Sequence, residues 1–504
     1  MESARRPHYQ VTFGILAVGI GAYALLQSLV IPVLTTVAKE LNTTQDAVTW
    51  VLTAYLLSAS IFTPILGRVG DMFGKKWVFV GTLVALAVGS VLAAVAPNLA
   101  VMIVARVIQG VAGGMLPLGF GIIRDEFPAE RVAGAVGILA ALTAVGGSLG
   151  IVLAGPIVDA LGWRWLFWLP GILTALAAIA ATLSVPQSLD RSPGRISWMP
   201  AILLSGWLIL LLVPLSEASV WGWGSPKVIG LLVGAVVLAA AWVWAELRAA
   251  TPLIDMKMMR LPAVWTNNLV ALLIGVGLYA MFAFLPAFVQ TPRAAGYGFG
   301  ASITVGGLML LPSGVTMFVT GMFAGALTRR FGGKALVVAG CLVGCVAMAM
   351  FAFTHSAEWE IYLASGILGI GFGLAFSAMS ANVVAAVPAG QTGVATGMNA
   401  NIRTIGGSIG AAVMASIVTA KLEPTGLPVE SGYTTGFGIM AGVLVIAALA
   451  GALIPSPRRA RGAAGAAFSA ALEEAAAVGT LAMSGDALTG EAAAGETVAS
   501  ELGE

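Results

Sequence analysis

Charge is what this sequence has least of. Only 10% of its 504 residues are Asp, Glu, Lys or Arg, against about 25% in soluble domains, which excludes an ordinary water-facing surface. Cysteine and histidine are scarcer still, at two each. Cys341 and Cys345 lie four apart in one apolar run; at that spacing they share a helix face without bridging it, so they read as small packing residues. His8 and His355 fall near expected helix ends, and no cysteine–histidine grouping has metal-site spacing. There is no glycine-rich phosphate loop with lysine, no paired metal-binding histidines and no convincing serine elbow. No cofactor, no metal and no enzyme activity are therefore expected. The net charge of +2 argues against a nucleic-acid partner.

What the sequence has instead is apolar length. Hydrophobic residues make up 59% and the mean hydropathy is +0.97. A bilayer core of about 30 Å needs roughly 20 apolar residues per helical crossing. Runs of that kind fall at 12–36, 47–66, 77–96, 99–121, 132–157, 164–185, 198–216, 227–247, 263–289, 301–326, 335–353, 360–386, 394–419 and 435–454, fourteen in all. The first has a basic flank and no small-residue cleavage site, so it is expected to stay as an anchor. Trp221 and Trp223, between the seventh and eighth runs, suit an interfacial belt.

Basic residues check the count. With the N-terminus inside, 18 of the 25 Lys and Arg fall in cytoplasmic segments and 5 in outer ones, leaving Arg106 and Arg403 within the membrane. That bias predicts an even number of crossings in the cell membrane with both termini cytoplasmic. Residues 456–504, rich in alanine and glycine and acidic after Arg461, read as a disordered cytoplasmic tail.

The chain also repeats itself. "GRVGDMFGKK" at 67–76 is echoed by "GALTRRFGGK" at 325–334, an offset of 258 (67 to 325), and "GGSLG" at 146–150 by "GGSIG" at 406–410, an offset of 260 (146 to 406). Two six-helix halves, 12–185 and 263–455, with an inserted helix pair within 186–262 and a short N-terminal segment 1–11, account for both offsets. Duplicated helical halves around a midplane cavity suit alternating access, each half rocking as a body.

"GRVGDMFGKK" resembles the signature between the second and third helices of the major facilitator superfamily. Fourteen spans with "GWRWLFW" after the fifth look like its drug:proton antiporters of the EmrB/QacA type. "RVIQG" at 106–110, "FLPAFVQ" at 284–290 and "GVATGMNANIRTIGGSIGAA" at 393–412 extend the likeness over residues 10 to 455. The resemblance implies an all-α membrane protein of two six-helix bundles plus two inserted helices, a multidrug efflux transporter driven by proton entry. A dedicated secondary-metabolite exporter or lipid flippase is the alternative, and a non-transporting sensor or scaffold a third.

The resemblance assigns Asp71, with Gly67, Gly74, Lys75 and Lys76 and the partners Arg124 and Asp125, to a cytoplasmic latch between the halves. Lys75 and Lys76 read equally well as loop anchors. Because Arg329 stands where Asp71 would repeat, the second hinge is expected to latch weakly or not at all. Arg106 is assigned to proton transfer with Gln109, Asp71 being the other coupling candidate. A midplane arginine costs about 2.5 kcal/mol or more on insertion scales, so it normally faces a cavity or a polar partner; the alternative reading of Arg106 is an interhelical hydrogen-bond hub. Gly137, Gly146, Gly150, Ala154 and Gly155 resemble the glycine-rich antiporter motif, or serve as a small-residue packing stripe.

Antiporters of this type usually carry an aspartate nine residues before the proline of the first helix; counting back from Pro32 gives Tyr23, and the usual asparagine is Ser28. Asp46, Asp159 and Glu217 fall near outer helix ends and Asp71, Asp125 and Glu126 near the inner face. Without a midmembrane acid the substrates expected are small, amphipathic and neutral or anionic, exchanged for protons by a monomer in the lipid bilayer. Gln27, Trp50, Tyr55, Asn267, Asn268, Tyr279, Gln290, Asn382, Asn399, Asn401 and Arg403 are the cavity candidates.

Overall fold

The computed structural model describes residues 9–48, 50–187, 197–249, 252–388, 391–424 and 427–455; the tail at 456–504 and most of the 186–197 connection lie outside them. Fourteen helices among the described residues are long and apolar enough to cross a membrane. They are α1 (Tyr9–Leu29), α2 (Trp50–Phe73), α3 (Lys75–Ala94), α4 (Leu99–Glu126, with a 3-10 turn at Val111–Gly114), α5 (Ala129–Leu161), α6 (Trp165–Ser184), α7 (Trp198–Trp221), α8 (Pro226–Arg248), α9 (Pro262–Gln290), α10 (Ile303–Phe331), α11 (Gly333–Phe353), α12 (Glu358–Ala386), α13 (Thr392–Val418) and α14 (Glu430–Gly451).

Several expected boundaries need correction, among them the ends of the fourth, seventh and tenth runs, which reach Glu126, Trp221 and Phe331. The first run is not one continuous α-helix: α1 stops at Leu29, Pro32, lacking an N–H, sits in a 3-10 turn at Ile31–Val33, and a separate short helix follows at Leu34–Glu40. The stretch 67–76 is not a loop, because α2 continues through Asp71 to Phe73 and the break is Gly74 alone, at φ 106°. Gly332, 258 positions on (74 to 332), breaks α10 from α11 in the same way at φ 83°. A side chain at either point would be strained in that region of backbone space. The fifth run extends from 132–157 to Ala129–Leu161. Polar side chains cap the starts of α4, α8 and α10: Asn98 accepts from the Val101 N–H at 3.0 Å, Ser225 from Val228 at 3.3 Å and Ser302 from Val305 at 3.3 Å.

Two large apolar cores organise the bundle. One joins Leu16, Ile20, Phe79, Leu83, Met102, Met115, Leu139 and Phe167 of α1 and α3 to α6; the other joins Ile274, Met281, Met309, Met348, Phe372, Met414 and Phe437 of α9 to α14. Glycines let helices nearly touch inside each. A Cβ on Gly146 would stand 2.6 Å from Ala24 Cβ, which seats α5 on α1, and one on Gly406 would stand 2.8 Å from the Leu272 carbonyl carbon, which seats α13 on α9. The duplicated motif thus makes the same kind of joint twice. A third, smaller cluster packs Leu204, Leu208 and Leu212 of α7 against Val394 and Met398 of α13. α8 is the peripheral member: only 22% of its apolar window is buried, and Val233, Val236 and Val237 face outward.

Candidate functional site

Between the two cores lies a cavity of about 200 Å³. Its walls are Tyr23, Gln27 and Ser28 of α1, Ser60 and Thr63 of α2, Thr143 and Gly147 of α5, Tyr279 and Phe282 of α9, Phe376 of α12, and Asn401, Arg403 and Thr404 of α13. Of the expected cavity residues, Gln27, Tyr279, Asn401 and Arg403 meet there. The wall residues outside the expected cavity set are legible in helical phase: Tyr23 and Ile31 stand four residues either side of Gln27, and Thr143, Gly147 and Ile151 recur every four residues along one face.

One end of the cavity is shut by α2 against α13. A Cβ on Gly67 would lie 2.7 Å from the Gly393 carbonyl carbon, and one on Gly397 would lie 3.1 Å from the Thr63 carbonyl oxygen. Both contacts are to backbone, which cannot move aside. Beyond them the two helices part, and Ser60 and Thr63 look across the cavity toward Ala400, Asn401 and Thr404.

Asp71 locks this closure. It is fully buried in the last turn of α2, and its Oδ2 accepts from the backbone N–H of Val394 at 3.3 Å, in the first turn of α13. A carboxylate at a helix N-terminus meets unpaired N–H groups and the positive end of the helix dipole. Lys75 is also buried; its Nζ lies 4.0 Å from Asp71 Oδ1 and donates to Asp125 at 2.8 Å, so the three form one charge cluster. Arg124 crosses the same junction, but not to Asp71 as expected. Its Nη1 donates to the Val384 carbonyl at 2.7 Å and to Thr392 Oγ1 at 2.6 Å, capping the end of α12 and the start of α13. Lys76 lies outside the cluster, 5.3 Å over the Trp77 ring. At the second hinge Arg329 makes one long bond across to α5, Nη1 donating to the Glu130 carbonyl at 3.4 Å.

Arg106 is fully buried beside the cavity rather than in its wall. Its Nε donates to the Val51 carbonyl at 2.9 Å, its Nη1 to Gln109 Oε1 at 2.9 Å, and Gln109 Nε2 donates on to Ser90 Oγ at 3.1 Å. The guanidinium lies 4.3 Å over the Tyr55 ring, whose centroid is 6.1 Å from that of Tyr23 on the cavity wall. Arg106 therefore ties α2 and α4 together, and two tyrosines separate it from the cavity.

Seven other cavity candidates do not line the cavity, and helix phase explains it. Tyr55 turns to Arg106. Asn399 Nδ2 donates to Asn268 Oδ1 at 2.9 Å and to the Asn267 carbonyl at 3.3 Å, so these three asparagines fasten α13 to α9. Asn382 packs over Gly333 at the second hinge, and Gln290 over Gly306. Trp50, at the start of α2, falls outside the wall. The fifth-helix glycines divide: Gly146 and Gly150 press on α1 while buried Ala154 extends their stripe, Gly137 lies against Ser377 of α12, and Gly155 against Thr304 of α10.

Fourteen apolar helices around a closed-ended cavity define a multi-pass membrane protein with a carrier's architecture. Residues 16–411 match the Major Facilitator Superfamily, and the chain belongs to it. An uncharacterized MFS-type transporter of Mycobacterium tuberculosis is 29% identical over 428 residues, 82% of this chain, and the chain spans 60% of that relative's length. A multidrug resistance protein B homolog of Mycobacterium tuberculosis is 30% identical over 429 residues, covering 80% of this chain and 77% of the relative. Among solved structures, the human organic anion transporter MFSD10 (TETRAN) superposes with a TM-score of 0.64 at 16% identity, over 88% of this chain and 100% of that one, a likeness of fold alone.

Proposed function

We propose that this protein exports small amphipathic molecules, neutral or anionic, across the cell membrane by alternating access, in exchange for protons. The observation that carries the reading is the cavity between the two cores, shut at one end by the Gly67–Gly393 contact and the Asp71–Val394 bond. The relative named a multidrug resistance protein supports the direction of transport. The excess of Lys and Arg in the segments at the Asp71 end makes that end cytoplasmic, with both termini there. The conformation described is then the one sealed toward the cytoplasm. The moving bodies are 12–185 and 263–455, with α7 of the pair within 186–262 packed against both α2 and α13, and the working unit is a monomer.

Asp71 is the coupling group this geometry supports best. As a carboxylate it accepts from the first turn of α13; once protonated it is a weaker acceptor at the same N–H, so a proton arriving there loosens the seal. Arg106 and Gln109 serve as the hub that holds α2 to α4 while α2 moves. Everted or reconstituted vesicles supply the test. Transport of a lipophilic dye driven by an imposed pH gradient, and stopped by a protonophore, is the expected result. Transport indifferent to the pH gradient removes the antiport step, and no transport of any probe removes the exporter reading.

A further inference from the structure

The charge inside the cavity is unbalanced. Arg403 is the only fully charged side chain in its wall, no carboxylate joins it there, and it has no ion pair among the described residues. Its guanidinium carbon lies 4.8 Å over the Phe376 ring. That packing covers one face and leaves the in-plane N–H groups, the ones that bind oxygen, unused. A guanidinium at membrane depth normally finds an acceptor or a counter-ion. Asn401 adds a second unused set of polar atoms: it is 1% exposed, it lines the cavity, and neither its Oδ1 nor its Nδ2 has a hydrogen-bond partner among the described residues. Residues two apart on a helix do not face each other, so Asn401 and Arg403 address different parts of the space. Aromatic rings of Tyr23, Tyr279 and Phe282 form much of the remaining wall.

We propose that this cavity is a site for an amphipathic organic monoanion, a flat aromatic body bearing one carboxylate or similarly delocalised oxyanion. Arg403 takes the charge, and Asn401 reads a polar group elsewhere on the molecule. The proposal rests on the transport reading and narrows it, since neutral compounds leave Arg403 without an acceptor. Cations meet a like charge with no acid in the wall to offset it; Asp71, a buried carboxylate of the closure, is engaged with Val394 and Lys75 at the sealed end. A space of about 200 Å³ suits two fused rings better than a large polycycle.

The test is calorimetric binding to the purified full-length chain, using 2-naphthoate, 2-naphthamide and 2-naphthylmethylammonium, one ring system in three charge states. The expected result is naphthoate binding at least about tenfold tighter than the amide, with the ammonium weakest. Arg403→Gln is expected to erase that preference, Arg403→Lys to keep part of it, and Asn401→Ala to weaken all binding without changing the order. Thermal melting of each variant separates loss of the site from loss of the fold; if Arg403→Gln does not fold, the wild-type order of the three probes together with Arg403→Lys decides. Equal binding of the three probes, tighter binding of the ammonium, or undiminished naphthoate binding by a folded Arg403→Gln overturns the proposal. Vesicle export is scored separately. Naphthoate binding without export of any probe leaves the anion site standing and sinks the exporter reading, whereas export of neutral compounds with no naphthoate binding does the reverse.

Discussion

At the residue scale, two buried charges divide the work between holding and moving. Arg106 is held within one half by the Val51 carbonyl and Gln109, and a lysine cannot donate in both directions while lying over a ring. Arg106→Ala is expected to abolish transport while the protein stays in the membrane, and Arg106→Lys to rescue little. Removing the guanidinium leaves Gln109 and a buried carbonyl short of a donor, a loss on the order of 2 kcal/mol, read as a lower melting temperature; full transport by Arg106→Ala excludes the hub. Asp71 differs because its partner sits on the opposing half. Asp71→Asn keeps the shape but removes the charge facing the start of α13. It is expected to raise the reaction of a cysteine placed at Thr396 with a thiol reagent added from the Asp71 side. Unchanged labelling of that cysteine would show that the carboxylate does not hold the seal.

At the element scale, the closure is a matter of how near two helices come. Gly67→Val puts carbon against the Gly393 backbone, whereas Gly81→Ala has nothing within 4 Å of its new Cβ. The first is expected to force α2 from α13 and to lower transport at least about tenfold, as overpacking against immobile backbone does. The second is expected to leave transport unchanged, and equal transport by both variants refutes the tight joint. These joints also show how much a sequence of this kind reveals. Helix existence is readable because an apolar run has one reading in lipid, and the echoed "GGSLG" and "GGSIG" mark corresponding joints on α1 and α9. Phase is harder. Asn399 and Asn401 are two apart, yet one fastens α13 to α9 and the other faces the cavity. A helix with small or apolar residues on every side gives no periodic signal to say which is which. Opposite charge suggests Arg124 as a partner of Asp71, but the carbonyl end of α12 is a competing acceptor that only the fold brings within reach.

At the scale of the whole molecule, the inserted pair is where topology can be tested most sharply. α7 lays Leu204, Leu208 and Leu212 against Val394 and Met398 of α13, while α8 turns most of its surface outward. Together they cross the membrane twice, so they separate the halves in sequence without changing the sidedness of α9–α14. Removing both, residues 198–248, is expected to leave α9–α14 in their original orientation, at some cost in stability from the exposed flank of α13. Removing α8 alone leaves an odd number of crossings before α9. The basic residues Arg329, Arg330 and Lys334, which belong on the same side as Arg68, Lys75 and Lys76, are then directed to the opposite face. A C-terminal reporter active on only one side of the membrane is expected to keep its state in the double deletion and to reverse in the single one, with transport lost completely in the single deletion. If the reporter gives the same state in both deletions, the two halves are not related by an even insertion, and the correspondence between the α2–α3 and α10–α11 hinges loses its meaning.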